Sequence, residues 1–390
     1  MAAALVTQAF AVGLTHGIYP VFLEPLEAAF DAPRTLVAGG QVLMMLSLTA
    51  SSLATGLLFD RGHARRVMWG GAGLLASALV LAATASNLWI LAGAAILMGL
   101  SVPSLGPLSG ATLVTRSFAE ERGRALGWIG MGPPLGAGAF AALAAYLIVR
   151  SDWRTTLLLF AGAVVLVLVP LIGFAVPARF EAPRDLGPSD GAPAVPDGSL
   201  GRPVFWLTAG MFALAAGIAT GWTVHFVAFL GGQGLDEAQR AGLLSAQFWL
   251  AAPAAFVFGA LGDRLRPERM LVGILAGQGV VLLLYSGTLV PAPLPHSLLF
   301  VLAIVSGLIS GGLIPLFILL LGRRVAPAAF SRALGLANVL MLPALAASVL
   351  VSAYCFERQG SYQWALILLA AGQVAAIACL LASNRSVASP

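Results

Sequence analysis

The chain has 390 residues, of which 59% are hydrophobic and only 9% charged, and its mean hydropathy is +0.94. Water-soluble domains are roughly 45–50% apolar and about 25% charged, so no soluble fold could cover this much apolar surface. The formal charge is +5, and all 21 basic residues are arginine.

In chain order, apolar runs with few or no charges fall at 4–23, 35–58, 67–86, 88–114, 125–149, 155–177, 204–230, 241–262, 269–290, 297–321, 333–354 and 362–383. Each can supply the ~20 residues a helix needs to cross ~30 Å of hydrocarbon. The pattern predicts an all-α membrane protein of twelve transmembrane helices. No basic residue precedes the first run and no small-residue cleavage site follows it, so it reads as a retained span rather than a signal peptide.

The long polar interval carries Pro183, Pro188, Pro193 and Pro196 with Asp185, Asp190 and Asp197, a composition that cannot build a packed core. It divides the chain into a first six-helix bundle at 1–177, a linker at 178–202 and a second bundle at 203–390. Sixteen arginines fall on the side of the loops after even-numbered spans and five on the other. The positive-inside rule then places both termini in the cytoplasm of a multi-pass protein of the bacterial inner membrane. The pI near 9.9 follows from this topology and from anionic lipid headgroups, without a nucleic-acid partner. Cys355 and Cys379 fall at or inside spans and point to neither a disulfide framework nor a metal site.

An internal repeat spans the chain. Gly56-Leu57-Leu58-Phe59-Asp60-Arg61-Gly62-His63-Ala64-Arg65-Arg66 recurs 203 residues later as Gly259-Ala260-Leu261-Gly262-Asp263-Arg264-Leu265-Arg266-Pro267-Glu268-Arg269. Arg124-Ala125-Leu126-Gly127 recurs as Arg332-Ala333-Leu334-Gly335, Arg116 matches Arg324, and Gly13 and Gly17 are mirrored by Gly217 and Gly221. Six spans separate the copies, so both halves keep one orientation, related by a pseudo-two-fold axis along the membrane normal.

The loop after the second span, repeated after the eighth, resembles the signature loop of the major facilitator superfamily. Phe118-x-x-x-Arg122-Gly123-Arg124, the glycine-rich stretch after it, Asp152-Trp153-Arg154 and the first loop from Val21 to Arg34 are similar to the monocarboxylate-porter and oxalate/formate-antiporter branches. Ala251 and Ala255 occupy the slots where those porters typically carry an aspartate and an arginine. Ala95 occupies the slot of the arginine found in drug/proton antiporters, although Gly132-Pro133-Pro134-Leu135-Gly136 partly resembles their antiporter motif. The resemblance implies two pseudo-symmetric six-helix bundles and secondary active, proton-linked transport of a small organic solute, a monocarboxylate or other organic acid, by a monomer working through alternating access. Efflux of amphipathic compounds is the alternative transport reading. A non-transporting membrane sensor or assembly partner would carry a sizeable soluble domain and no repeated signature loop.

The resemblance also assigns residues. Asp60 and Asp263, with Arg61, Arg65, Arg66, Arg116, Arg124, Arg264, Arg324 and Arg332, form an expected latch at helix ends, where a carboxylate meets unsatisfied N–H groups. Spans 1, 4, 7 and 10 line the central cavity in that family. His16 and Tyr19, three apart on span 1, and Trp222 and His225, with the same spacing on span 7, are therefore candidate substrate contacts. Trp128, Gln247, Asn338 and Gln41 can hydrogen-bond or stack on a substrate, and interhelical bonding is the plainer role for each of them. The same plain role is open to both histidines.

Without lysine there is no Walker A loop, pyridoxal Schiff base or retinal linkage, and neither H-E-x-x-H nor G-x-S-x-G occurs. An enzyme is not expected, nor are a cofactor or a metal. The partners expected are the small-molecule substrate, membrane lipid and a co-transported proton.

Overall fold

The computed structural model describes residues 2–107, 109–110, 128–176, 203–290, 293–325 and 330–388. Twelve helices in this set are long and apolar enough to cross a membrane, and no strand occurs among the described residues. They are α1 (Ala2–Phe30), α2 (Arg34–Asp60), α3 (Ala64–Ala83), α4 (Leu88–Leu105), α5 (Trp128–Arg150), α6 (Trp153–Ala175), α7 (Pro203–Gly232), α8 (Glu237–Arg264), α9 (Pro267–Tyr285), α10 (His296–Arg324), α11 (Phe330–Gln359) and α12 (Gln363–Ala388). The linker 178–202 lies outside the described residues, as do Phe118, Arg116, Arg122 and Arg124.

The chain forms two compact units. One holds α1–α6 together with Glu237–Phe248, the first part of α8; the other holds α7, the rest of α8 and α9–α12. In the first unit α1 lies against α5, and small residues make the approach possible. A Cβ on Gly13 would stand 2.5 Å from the Phe140 ring, and one on Gly17 2.5 Å from Ala137 Cα. Helices in lipid associate through close backbone contact of this kind, since lipid tails offer no hydrophobic drive. The second unit repeats the device between α7 and α11, where a Cβ on Gly217 would stand 2.7 Å from the Ala344 methyl. The glycines of the Gly132-Pro133-Pro134-Leu135-Gly136 stretch belong to the α1–α5 seam, facing the carbonyls of Leu5 and Ala9.

Local signals set the helix ends. Asn87 caps α4 by accepting from the amide of Ile90 at 3.0 Å. Asp152 caps α6 by accepting from the amides of Arg154 and Thr155 at 2.7 and 2.9 Å. The Thr155 hydroxyl beside it also donates to this carboxylate and, as the leading cause, holds the Asp152 carboxyl below its ordinary range. Gly62 turns the chain after α2 at φ 79°, a conformation that favours glycine.

The first helix runs farther than its apolar run. The stretch from Val21 to Phe30, similar in sequence to a loop, is helical to Phe30. Val21, Phe22, Leu23 and Leu26 are buried along it, and its acids find cations: Glu27 holds Arg34 in a two-pronged pair at 2.6 and 2.7 Å, and Glu24 meets Arg240 at 2.8 Å. A π turn at Gly13–Gly17, closed by Ile18 N donating to Gly13 O at 3.0 Å, precedes Pro20. Widening of this kind recurs at functional sites and where proline removes a donor.

Candidate functional site

Midway along α1, on the π turn, His16 is partly buried and its Nδ1 lies 2.7 Å from the side-chain amide nitrogen of Gln41 on α2. One helical turn before Gln41, the Val37 carbonyl accepts from the Tyr19 hydroxyl at 2.5 Å, and Gly40 leaves room for that hydroxyl. His16 and Tyr19 therefore come together as expected, both against α2. The other ring nitrogen of His16 and the amide oxygen of Gln41 are buried and have no hydrogen-bond partner. A buried polar atom left without a partner costs ~1–3 kcal/mol, so two on one contacting pair of side chains call for an explanation.

Trp222 and His225 also come together, in different surroundings. His225 is fully buried; its Nε2 stands 2.9 Å from the Val349 carbonyl of α11, and its Nδ1 3.3 Å from the Tyr362 hydroxyl of α12. Trp222, 4% exposed, packs edge-on against Phe229 and Tyr362, with ring centroids at 5.4 and 5.7 Å, and lies beside Tyr285 at 6.4 Å. The matching spacing of the two pairs is not repeat symmetry. The offset of 204 that carries Gly13 to Gly217 carries His16 to Thr220, and His225 corresponds to Val21.

Of the remaining substrate candidates, Gln247 is partly buried on the part of α8 that belongs to the first unit. Asn338 is exposed, and Trp128 is 54% exposed. Gln41 makes an interhelical hydrogen bond, the plainer of its two expected roles, and Tyr285 and Tyr362, which pack on Trp222, were not among the expected residues. A tyrosine at the end of an apolar run carries no signal of its own.

Among the arginines assigned to the latch, Arg65 donates through Nε to the Val176 carbonyl at 2.6 Å, at the end of α6. Arg324 donates to the hydroxyls of Thr208 on α7 and Ser383 on α12 at 2.6 and 2.7 Å, and to Asn384. These two staple helices within their own units. Arg61, Arg66, Arg264 and Arg332 are exposed. Asp60 and Asp263 stand in the last turns of α2 and α8, with side chains outside the described set. At the other end of the first unit, Arg240 and Ser245 fasten the start of α8: Arg240 pairs with Glu24, and Ser245 donates to the Gly138 carbonyl of α5 at 2.7 Å. Among the described residues no group of three or more His, Cys, Asp or Glu side chains could hold a metal.

The sequence pattern of the Major Facilitator Superfamily matches residues 5–246. The 3-(3-hydroxy-phenyl)propionate transporter of Escherichia coli (strain K12) is 28% identical over 236 residues, covering 60% of this chain and 57% of that one. The chain thus aligns with little more than half the length of that curated relative. The crystal structure of a bacterial homolog to the human lysosomal transporter Spinster, in an inward-facing and occupied conformation, matches with a TM-score of 0.75 over 99% of this chain and 96% of that one, at 12% identity. That likeness is one of fold. The matched pattern covers more than half of the chain and agrees with the twelve helices of membrane-spanning length, and the chain belongs, as a multi-pass membrane protein, to the major facilitator superfamily.

Proposed function

We propose that this transporter is driven by a solute gradient and carries a small organic acid together with a proton, by alternating access, with aromatic monocarboxylates as the first class to test. One observation carries the reading: His16, midway along a membrane helix, keeps a buried ring nitrogen without a partner. Ionisable groups inside spans are costly and mark solute or proton paths, and histidine is the side chain whose ordinary titration lies near neutrality. No arginine lies deep within a predicted span, so an anion at that depth needs a proton for compensation. The substrate class is supported by the similarity to a transporter whose name describes an aromatic carboxylate.

In this reading His16, Tyr19 and Gln247 contact the substrate from the first unit. Trp128 and Asn338 are exposed contacts available to it, and Trp222 and His225 brace the second unit. Asp60 and Asp263, with Arg61, Arg66, Arg264, Arg332, Arg116 and Arg124, latch one conformation at the arginine-rich ends. The protein acts as a monomer in the bacterial inner membrane, both termini in the cytoplasm, with residues 178–202 linking the halves. Proteoliposomes test it: uptake of 3-(3-hydroxyphenyl)propionate is expected to rise as the outside is acidified, and Asp60→Asn to lower uptake without loss of insertion. Transport of lipophilic cations in place of acids would overturn the substrate class, and normal transport by Asp60→Asn would remove the latch.

A further inference from the structure

We infer that the ends of α5 and α11 carry two matched sites for the phosphate of an anionic phospholipid, each built from a tyrosine and the arginine one helical turn beyond it. Arg150 lies over the Tyr146 ring at 5.1 Å and Arg358 over the Tyr354 ring at 5.4 Å. The offset of 208 that carries Arg124 to Arg332 also carries Tyr146 to Tyr354 and Arg150 to Arg358. These pairs, unlike the two histidines, therefore share one position in the repeat. The tyrosines are 55% and 54% exposed, and both arginines are exposed as well.

Packing on the opposite side of each helix leaves these pairs to the bilayer. α5 turns Gly136, Ala137 and Phe140 onto α1, and α11 turns Ala344, Leu345 and Ser348 onto α7. At 3.6 residues per turn the tyrosines stand roughly 130° round their helices from those seams. The face below them is apolar and exposed, through Ala139 and Leu143 on α5 and Ala347 and Leu350 on α11. Hydrocarbon side chains, then a tyrosine, then an arginine is the order of a helix passing from lipid tails into headgroups, where tyrosine rings concentrate and arginine stems reach outward.

Charge selects the headgroup. Five arginines stand on the arginine-poor side, Arg34, Arg150, Arg154, Arg240 and Arg358. Glu27 engages Arg34 and Glu24 engages Arg240, and Arg154 donates to the carbonyls of Ala83 and Ala85 at 2.7 and 2.9 Å. Arg150 and Arg358 rest on rings instead. A ring face attracts the charge without using up the fork of N–H donors, which fits phosphate oxygens two at a time. The nearby acids do not compete. The Asp152 carboxylate accepts from the amides of Arg154 and Thr155, and Glu357, next to Arg358, projects about 100° away from it round the helix. The helix dipole accounts for an arginine in a last turn, but not for an exposed tyrosine one turn before it in both halves.

Fluorescence quenching beside each pair tests the sites in the full chain, reconstituted in phosphatidylethanolamine bilayers. With Cys355 and Cys379 replaced by alanine, Val149→Cys or Gln359→Cys, both at exposed positions, carries the fluorophore. Phosphatidylglycerol or phosphatidylcholine, spin-labelled near the glycerol and added at equal mole fraction, supplies the quencher. Phosphatidylglycerol is expected to quench as if about fivefold enriched over phosphatidylcholine, the ratio that ~1 kcal/mol per arginine near an anionic surface gives, and salt should lower that ratio. Arg150→Gln at the first label and Arg358→Gln at the second should bring it to about one, each without effect at the other label. Tyr146→Leu should lower it part-way, because the guanidinium loses its support and keeps its charge. Equal quenching by the two lipids in the parent, or a preference that survives both arginine substitutions, overturns the sites. Weak quenching by either lipid overturns them too, since protein would then cover these faces. So does a fluorescence response to 3-(3-hydroxyphenyl)propionate in place of a lipid preference, which would make the pairs contacts for a solute.

Discussion

Each half of the molecule carries a histidine on its first helix, and the two are held in opposite ways. His225 sits on a regular helix with both ring nitrogens engaged, by Val349 and Tyr362, inside a ring of aromatic side chains. His16 sits on a π turn with one nitrogen engaged by Gln41 and the other buried and unmatched. Polar side chains between membrane helices ordinarily bond their neighbours, and that suffices to explain His225. It does not explain His16. Repetition of a residue type in two halves is therefore weak evidence of shared function, and a count of the donors and acceptors left over separates the two.

The sharpest test exchanges each histidine. His16→Gln should flatten the response of uptake to external acid, with roughly a ten- to hundredfold loss of acid-stimulated uptake. On the proposed carriage of an acid with a proton, acidification should favour transport in the parent because a protonated His16 compensates the anion; once the residue cannot titrate, that sign should disappear. His225→Leu should do the reverse. It leaves the Tyr362 hydroxyl without its ring partner, so the expected loss is ~0.6–1.7 kcal/mol of stability, read as a lower thermal midpoint, with the acid response intact. A flattened acid response in His225→Leu, with a normal one in His16→Gln, would reverse the comparison.

Much of the fold was legible because the bilayer imposes it: apolar runs of membrane length and the arginine-bearing loops needed no knowledge of tertiary contacts. The end of α1 was not legible, since Glu24, Pro25 and Glu27 read as a loop. The cation that meets Glu24 is Arg240, 216 positions away, and no local pattern announces it. The site was half legible. His16 stands out as a titratable group in an apolar run, whereas Gln41 acquires its meaning only from the ring opposite. His16 and His225 each stand three residues from an aromatic partner, and that equal spacing says nothing of equal position in the repeat. The glycines, which packing fixes, give the true register.

Those glycines provide the next test, because equivalent positions meet different obstacles. A Cβ on Gly17 would stand 2.5 Å from the Cα of Ala137, a backbone atom that can move only with α5. A Cβ on Gly221 first meets the Ser348 hydroxyl, which can rotate away at the expense of its bonds to the Gly217 and Leu345 carbonyls at 2.9 and 3.0 Å, and then the Ser348 Cβ at 2.8 Å, a side-chain rather than a backbone atom. Gly17→Ala should therefore cost ~1–3 kcal/mol as overpacking. Gly221→Ala should cost less, because the helix gains ~0.5–1 kcal/mol when alanine replaces glycine. Thermal midpoints of the purified variants, compared side by side, check the order, and a larger loss for Gly221→Ala would show that the α7–α11 seam is the stiffer one.

The smallest expected effect concerns the ends of the same two helices. In the first unit the end of α1 is fastened by charge, Glu24 to Arg240 at 2.8 Å, with side chains 39% and 17% exposed. The repeat offset carries Glu24 to Ala228, and the end of α7 is instead fastened by Phe229 against Tyr285 and Tyr362, with centroids at 5.3 and 6.3 Å. A partly exposed pair of this kind contributes ~0.2–1 kcal/mol. Glu24→Gln should lose about that much, and less in high salt, which screens the pair. The exchange of both charges, Glu24→Arg with Arg240→Glu, should recover most of what either single reversal loses, because each single reversal sets like charges against each other. The coupling energy from that double-mutant cycle isolates the pair from the packing of the long side chains around it. A coupling indistinguishable from zero would mean that the start of α8 is held to the first unit by contacts such as Ser245 with the Gly138 carbonyl. The contrast between a charged end and an aromatic end would then be one of composition rather than of what fastens the helix.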